Sequence, residues 1–257
     1  MDSKKVTQNM QLLLQQLDSR GDITTEQAME LLHISESTAR RLFTRLAQHG
    51  CARRTFGGIC RAAQQEEYNF DTLSVCNTGA KQGIALAAAA LVASRDVLYL
   101  DGGTTLAPFA KELARRISQG EVQGVVIFTN SLSTLNALQG VEGVTLLGGR
   151  FRTHRQDFCG HIAECAVQQL HFTKSFLGTD AVEADRGFTT TDFETAQLNR
   201  LVLQAADKNY VLADASKFGR TSLTPYAAPG SNVNVVTEEA LPPEVRTAYI
   251  AAGFHFL

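Results

Sequence analysis

Thr24-Thr25-Glu26-Gln27-Ala28-Met29-Glu30-Leu31-Leu32-His33-Ile34-Ser35-Glu36-Ser37-Thr38-Ala39-Arg40-Arg41-Leu42-Phe43-Thr44-Arg45-Leu46-Ala47-Gln48 reads as two short helices joined by a tight turn. The spacing of Thr24 and Gln27 is that of a capping box, and Ala28, Leu31 and Leu32 form the apolar stripe of the first helix. Ser35 is placed to cap the second, its hydroxyl accepting from an orphan backbone N–H. At 3.6 residues per turn, Ala39, Leu42, Phe43 and Leu46 share one face of that helix, and Ser37, Arg40, Arg41, Thr44 and Arg45 share the other. One face packs and the other is rich in hydrogen-bond donors, the division expected of a helix that enters the major groove of DNA. Thr38 is included with the donor set.

Outward from this pair, 6–17 predicts a third helix, and Cys51-Ala52-Arg53-Arg54-Thr55-Phe56-Gly57-Gly58-Ile59-Cys60 predicts a β-hairpin, because paired glycines tolerate the positive φ of a tight turn. The hairpin is read as a wing that brings Arg53 and Arg54 to phosphates or to a minor groove. From Glu36 to Arg61 there are six arginines and one acid. Residues 1–62 hold nine Lys or Arg against six Asp or Glu, a net of +3, while the rest hold fifteen against twenty, a net of −5. The attraction for nucleic acid is therefore local to a chain whose overall charge is −2.

A chain of 257 residues, 44% hydrophobic and 19% charged, has room for one large core and a small domain. The expected division is a DNA-binding domain at 1–62, a polar linker at 63–78 and a ligand-sensing domain at 79–257. Met1-Asp2-Ser3-Lys4-Lys5 opens without a sustained apolar run, so no secretory signal or membrane partner is expected and the cytoplasm is the expected location. Five cysteines without a C-x-x-C pair fit reduced thiols, with Cys51 and Cys60 facing each other across the wing as one arrangement. The six histidines lack ligand spacing with Cys or acids, so no metal and no cofactor are expected. His154 and His161 flank a loop and are read as exposed.

Beyond residue 79 a helix to about residue 93 is followed by short β-rich runs at 97–100, 125–128, 144–147, 174–177, 210–213 and 233–236, each ending in polar residues or glycine. Strands alternating with helices predict a mainly parallel α/β sheet covered on both faces, and such sheets bind ligands beyond the carboxyl ends of their strands. Asp101-Gly102-Gly103-Thr104-Thr105 leads into a helix at 106–117, so its N–H groups and the positive helix end form a candidate anion cradle. Thr129-Asn130-Ser131 and Gly148-Gly149 end two further strands. Lys81 and Lys217 are candidates for neutralising a phosphate, and Asp101 and Asp180 for accepting hydrogen bonds from sugar hydroxyls.

Ser35-Glu-Ser-Thr-Ala-Arg-Arg41, Arg54-Thr-Phe-Gly-Gly-Ile59, Phe70 with Asn77 and Lys81, Asp101-Gly-Gly-Thr-Thr105, Thr129-Asn-Ser131, Leu147-Gly-Gly149, Gly187-Phe-Thr189 and Asp214-Ala-Ser-Lys-Phe-Gly219 together give the chain its resemblance to the DeoR family of bacterial transcriptional repressors. The resemblance implies an N-terminal winged helix-turn-helix and a C-terminal sensor similar to the ribose-5-phosphate isomerase and CoA-transferase fold. It also implies a phosphorylated sugar as effector, homo-oligomers (a dimer or a tetramer) on double-stranded operator DNA, and repression of genes for carbohydrate uptake and catabolism. Two positions depart from the family pattern. Leu42-Phe43 stands where Asp-Leu is common after the two arginines, and Leu73 stands where an Arg often follows Phe70. The alternative is a sugar-phosphate isomerase with a fused DNA-binding head. Only Asp101 and Asp180 offer themselves as bases, and no nucleophilic Glu for a transferase is evident, so a regulator and not an enzyme is expected.

Overall fold

A computed structural model describes residues 3–48, 52–61 and 68–257, and the chain divides into two compact units, Met1–Thr78 and Gly79–Leu257.

The first unit runs α1 (Ser3–Arg20), β1 (Asp22–Thr24), α2 (Thr25–Leu32), α3 (Glu36–Gln48), β2 (Ala52–Thr55), β3 (Gly58–Arg61) and α4 (Phe70–Ser74). Helix α4 lies within the span read as a linker. The capping box forms as spaced: the Gln27 N–H donates to Thr24 Oγ1 at 3.2 Å and the Thr24 N–H to Gln27 Oε1 at 2.9 Å. His33 ends α2 in the left-handed region at φ 50°, turning the chain into α3. The Ser35 hydroxyl departs from its expected role. It lies 3.0 Å from the Thr38 hydroxyl and 3.1 Å from that of Ser37, and the Ser35 carbonyl accepts the N–H groups of Thr38 and Ala39. Leu13 and Leu17 of α1 pack with Ala28, Ala39, Leu42, Phe43, Leu46 and Ile59 in one buried core.

Strand β1 pairs with β3 in a three-stranded antiparallel sheet of order β1-β3-β2, an element the sequence reading lacked. The two wing glycines do different jobs. Gly57 takes φ +98°, which a side chain rarely adopts, whereas at Gly58 a Cβ would stand 2.2 Å from the Ile23 carbonyl oxygen. Cys51 lies outside the described residues. Cys60, Cys159 and Cys165 are free, but Cys76 is disulfide-bonded, so the expectation that every thiol is reduced fails. Sulfur pairing depends on Cα separations of about 4–7 Å, which spacing along the chain does not reveal.

The second unit runs α5 (Thr78–Ala90), β4 (Val97–Leu100), α6 (Leu106–Ser118), β5 (Val126–Thr129), α7 (Leu132–Ala137), β6 (Val144–Leu146), β7 (Arg150–Arg152), β8 (Asp157–Cys159), α8 (His161–Gln168), β9 (Phe172–Gly178), β10 (Ala181–Glu183), β11 (Gly187–Thr190), α9 (Phe193–Gln204), β12 (Ala206–Leu212), a 3-10 turn (Ala215–Lys217), β13 (Thr224–Ala227), β14 (Val233–Val236), α10 (Pro243–Ala251) and β15 (His255–Phe256). Seven strands form a wholly parallel sheet of order β15-β14-β12-β9-β4-β5-β6. Its strands are apolar at successive positions because both faces are covered. Leu98, Leu100, Phe176, Tyr210 and Leu212 pack on one side with Ile84 and Ala88 of α5 and Phe109 and Leu113 of α6. Tyr99, Leu177, Val211 and Val235 pack on the other with Val167 of α8, Val202 of α9 and Tyr249 of α10. The strand order proceeds from β4 to β5 and β6 in one direction and from β9 to β12, β14 and β15 in the other. Its reversal falls between β4 and β9, the place in such sheets where ligands bind beyond the carboxyl ends. No described helix is long and apolar enough to cross a membrane.

Candidate functional site

The first unit exposes cations on α3 and on the hairpin. Glu36, Ser37, Arg40, Arg41, Thr44 and Arg45 of α3 are exposed, as are Arg53 and Arg54 of the hairpin. Arg54 Nη1 donates to Thr44 Oγ1 at 2.7 Å, so the wing is pinned beside the exposed face of the helix. Arg40 is held by Glu36 at 2.8 Å, an exposed i,i+4 pair that positions the guanidinium and adds little stability. Thr38 is only 9% exposed, its hydroxyl 3.0 Å from that of Ser35 and 3.4 Å from Arg41 Nη2. It braces an arginine and does not reach outward. The turn carbonyl of Gly57 accepts both the backbone N–H of Thr25 at 2.8 Å and its hydroxyl at 2.7 Å. An orphan donor at the start of α2 is thereby satisfied by the wing.

The second unit gathers charge at the strand-order reversal. Asp101, just past β4, accepts from the Gly178 N–H at 3.2 Å and from its neighbour Gly102 at 2.7 Å. Burial pushes its pKa up to about 6; the two N–H bonds and Arg155 oppose that rise, and Asp157 adds to it. Gly103 takes φ +114°, and its carbonyl receives the N–H groups of Leu106 and Ala107, setting the start of α6 directly behind the loop. Thr104 is half-buried, Thr105 is buried, and Gly102 faces Ser131 and Asp157 so closely that a Cβ would lie 3.3 Å from Ser131 Cβ.

Asp180, beyond β9, accepts from the Thr191 N–H at 2.8 Å and from the hydroxyls of Thr190 and Thr191, each at 2.9 Å, with Arg155 Nη2 at 3.4 Å. Burial would raise its pKa, but the charges of Arg155 and Lys217 and these bonds hold it below the usual carboxylate range. Lys217 closes the 3-10 turn after β12, whose cap is Asp214. Lys81, in the first turn of α5, is 4% exposed. Burial lowers its pKa to about 8, countered in part by Asp214 and reinforced by Lys217. The ends of the neighbouring strands β4, β9 and β12 thus bring Asp101, Asp180, Asp214 and Lys217 together with Lys81 and Arg155.

The remaining sequence candidates are placed differently. Thr129 and Ser131 are fully buried: Ser131 donates its N–H to Thr129 Oγ1, and its hydroxyl caps α7 through the Thr134 N–H. Asn130 exchanges bonds with Phe158 through its side-chain amide and its carbonyl. These residues seat the β7–β8 hairpin, with Asn130 Oδ1 buried and without a hydrogen-bond partner among the described residues. Gly149 allows a close approach in that hairpin, since a Cβ there would be 2.6 Å from the Cys159 carbonyl oxygen, while Gly148 is exposed.

The sequence reading missed Arg155, Asp157, Thr190 and Thr191. The density of charge in Arg152-Thr153-His154-Arg155-Gln156-Asp157 was the available signal. Arg152 locks the hairpin: it meets both Asp157 oxygens at 2.8 Å and also bonds Asp192, the cap of α9, and Thr195. His154 and His161 are exposed, and no cluster that could hold a metal occurs among the described residues.

Residues 10–65 match the model of the DeoR-like helix-turn-helix domain and residues 76–239 that of the DeoR C terminal sensor domain. The chain is similar to the putative aga operon transcriptional repressor of Escherichia coli O157:H7, at 31% identity over 97% of this chain and 94% of that one. It is 32% identical to the uncharacterized HTH-type transcriptional regulator FruR of Bacillus subtilis (strain 168), over 89% of each, and 29% identical to the lactose phosphotransferase system repressor of Streptococcus mutans serotype c, over 82% and 83%. Among solved structures it aligns with ribose 5-phosphate isomerase A from Methanocaldococcus jannaschii, at 23% identity and a TM-score of 0.42 over 55% of each chain. Its relatives are regulators and not enzymes, and the two matched domains in this order make the chain a member of the DeoR family of transcriptional regulators.

Proposed function

We propose that the chain represses genes for carbohydrate uptake and breakdown in the cytoplasm, and that a phosphorylated sugar bound at the ends of β4, β9 and β12 controls it. Residues 1–62 serve as the DNA-binding head, 63–78 as the connection and 79–257 as the sensor. The observation that carries the ligand reading is the buried Lys81, its pKa lowered to about 8, beside Asp214 and Lys217, with Lys217 in turn acting on Asp180. Buried cations beside ionised carboxylates suit a molecule that is anionic at one end and rich in hydroxyls at the other. The names of the relatives, an aga operon repressor and a lactose phosphotransferase system repressor, support the carbohydrate class.

On the DNA side, Arg41, Arg45 and Ser37 read base edges, while Arg53 and Arg54 engage the backbone. The working form is a homo-oligomer, whose paired heads meet half-sites about 10 base pairs apart or a multiple of that. The ligand acts by binding one arrangement of the heads more tightly than another, since equal affinity for both would shift nothing.

Fluorescence anisotropy tests this on the duplex that the full chain enriches from a randomised pool, with and without a panel of sugar phosphates and with the unphosphorylated sugars as controls. The expected result is salt-dependent, selective binding that one phosphate alters and its parent sugar does not. Selective binding indifferent to every phosphate would remove the ligand assignment, and no selective binding would remove the DNA assignment.

A further inference from the structure

Phe56 stands at the turn of the wing with its whole side chain in solvent, far more exposed than Leu12 and Leu31, the other exposed large apolar residues described in this unit, while Leu13, Phe43 and Ile59 lie in its core. Burying such a ring stabilises a protein relative to leaving it exposed, so its position at the tip forgoes that gain. The tip is also held firmly. The Gly57 carbonyl is clamped by the N–H and the hydroxyl of Thr25, Gly58 is pressed against the Ile23 carbonyl, and Arg54 is fixed to Thr44 on α3. Phe56 and Gly57 are the two turn residues between Thr55 and Gly58, the last pair of the hairpin, so residue 56 stands at its tip. The ring therefore stands fully exposed at the tip of a wing whose adjoining strand β2 carries the Arg53 and Arg54 cations, Arg54 being fixed to α3.

We propose that Phe56 is an apolar wedge that enters the minor groove beside the major-groove site of α3 and partly unstacks one base step. This rests on the DNA-binding reading above and deepens it by naming a specificity-determining residue. Arg53 and Arg54 bring the wing to the phosphates on either side of the groove, and the aromatic ring then fills space between adjacent bases, as apolar side chains do in proteins that kink the duplex. Opening a step costs least where stacking is weak, so Phe56 selects flexible pyrimidine–purine steps at a position where no hydrogen bond to a base edge is made. It adds sequence preference without adding charge.

The test uses the full-length chain and the duplex it enriches from a randomised pool, with 2-aminopurine placed at successive steps flanking the protected half-site. The expected result is 2-aminopurine brightening at one step with the wild type. F56A loses that signal and binds the selected duplex roughly tenfold or more weakly, with scrambled DNA bound as before. The slope of log affinity against log salt is unchanged in F56A and falls by about 0.9 in R53A if Arg53 neutralises one phosphate. F56L keeps an apolar wedge and retains most of the affinity. Unchanged affinity and fluorescence in F56A would overturn the wedge. So would a shift in the sedimentation coefficient of F56A without DNA, since the ring would then join copies of the chain. A wild type that enriches no duplex would overturn the DNA reading itself and this inference with it.

Discussion

Replacing Asp101 by asparagine should abolish a pH dependence that the folded protein carries in the acid range. The Asp101 carboxyl titrates at about 6 in the folded chain against 3.8 when unperturbed, because burial outweighs the two backbone N–H groups it accepts. Between those values the folded state binds the extra proton and the unfolded state does not, so stability falls as pH rises through this window. The displacement is about two pK units at 1.36 kcal/mol each, which comes to about 3 kcal/mol lost in full above pH 6. The amide of D101N has no acidic proton to lose and nearly the shape of the protonated acid. Urea unfolding of the wild type and D101N, followed by circular dichroism from pH 4 to pH 8, should give curves that meet near pH 4. By pH 7 the variant should be the more stable by about 3 kcal/mol. A constant offset across the range would refute the assignment of that proton to Asp101.

Three further outcomes follow from the same geometry. Lys81 titrates at about 8, so a bound phosphate dianion, by favouring its charged form, should make binding take up protons at pH 8.5; calorimetry in buffers of different ionisation enthalpy reads this directly, and buffer-independent heats would place the anion away from Lys81. R152A strands Asp157 and Asp192 without their shared guanidinium and should cost about 3–5 kcal/mol in urea unfolding, with a loss below about 1 kcal/mol contradicting the lock on the hairpin. Two glycine replacements should move in opposite directions. G58A drives a Cβ to within 2.2 Å of the Ile23 carbonyl and should destabilise by about 2 kcal/mol or more, whereas G83A, on an open helix surface, should stabilise by about 0.5–1 kcal/mol; equal effects in thermal unfolding would break the argument.

The parts of the molecule legible in the sequence were those governed by local chemistry. The Thr24 to Gln27 box, the apolar stripe of α3 and the six apolar strand runs depend on neighbours within a few residues, and each stands at its expected place within one or two residues, apart from longer β9 and β12. What escaped depends on partners distant in the chain. Strand β1 is three residues with one buried side chain, too short to show an alternation, and exists because β3 pairs with it. Strand β15 is two residues docked on β14. Arg155 reaches the Asp180 cluster only because the β7–β8 hairpin is seated by Asn130 and locked by Arg152, contacts spanning 25 to 40 positions. Thr38 and Ser131 look like outward-facing donors by residue type, but the fold turns both inward.

That distinction also bears on whether the acids of this sheet could act as bases. Proton abstraction from carbon asks for a carboxylate that is free to move onto its proton and whose pKa lies near the working pH. Asp101 has such a pKa, but it is 6% exposed and its oxygens hold Gly102 and Gly178, so its carboxylate fastens the end of β4 to that of β9. Asp180 is the more open of the two. It is held ionised by Arg155, Lys217 and three hydrogen bonds from Thr190 and Thr191, which makes it a weak base and a firm acceptor. The two acids nearest the strand ends are thus committed, one to the fold and the other to fixed donors. On the reading proposed above, cations and acceptors held in place would favour a bound hydroxylated anion without lowering the barrier to its isomerisation, and differential binding of that kind is what a sensor requires.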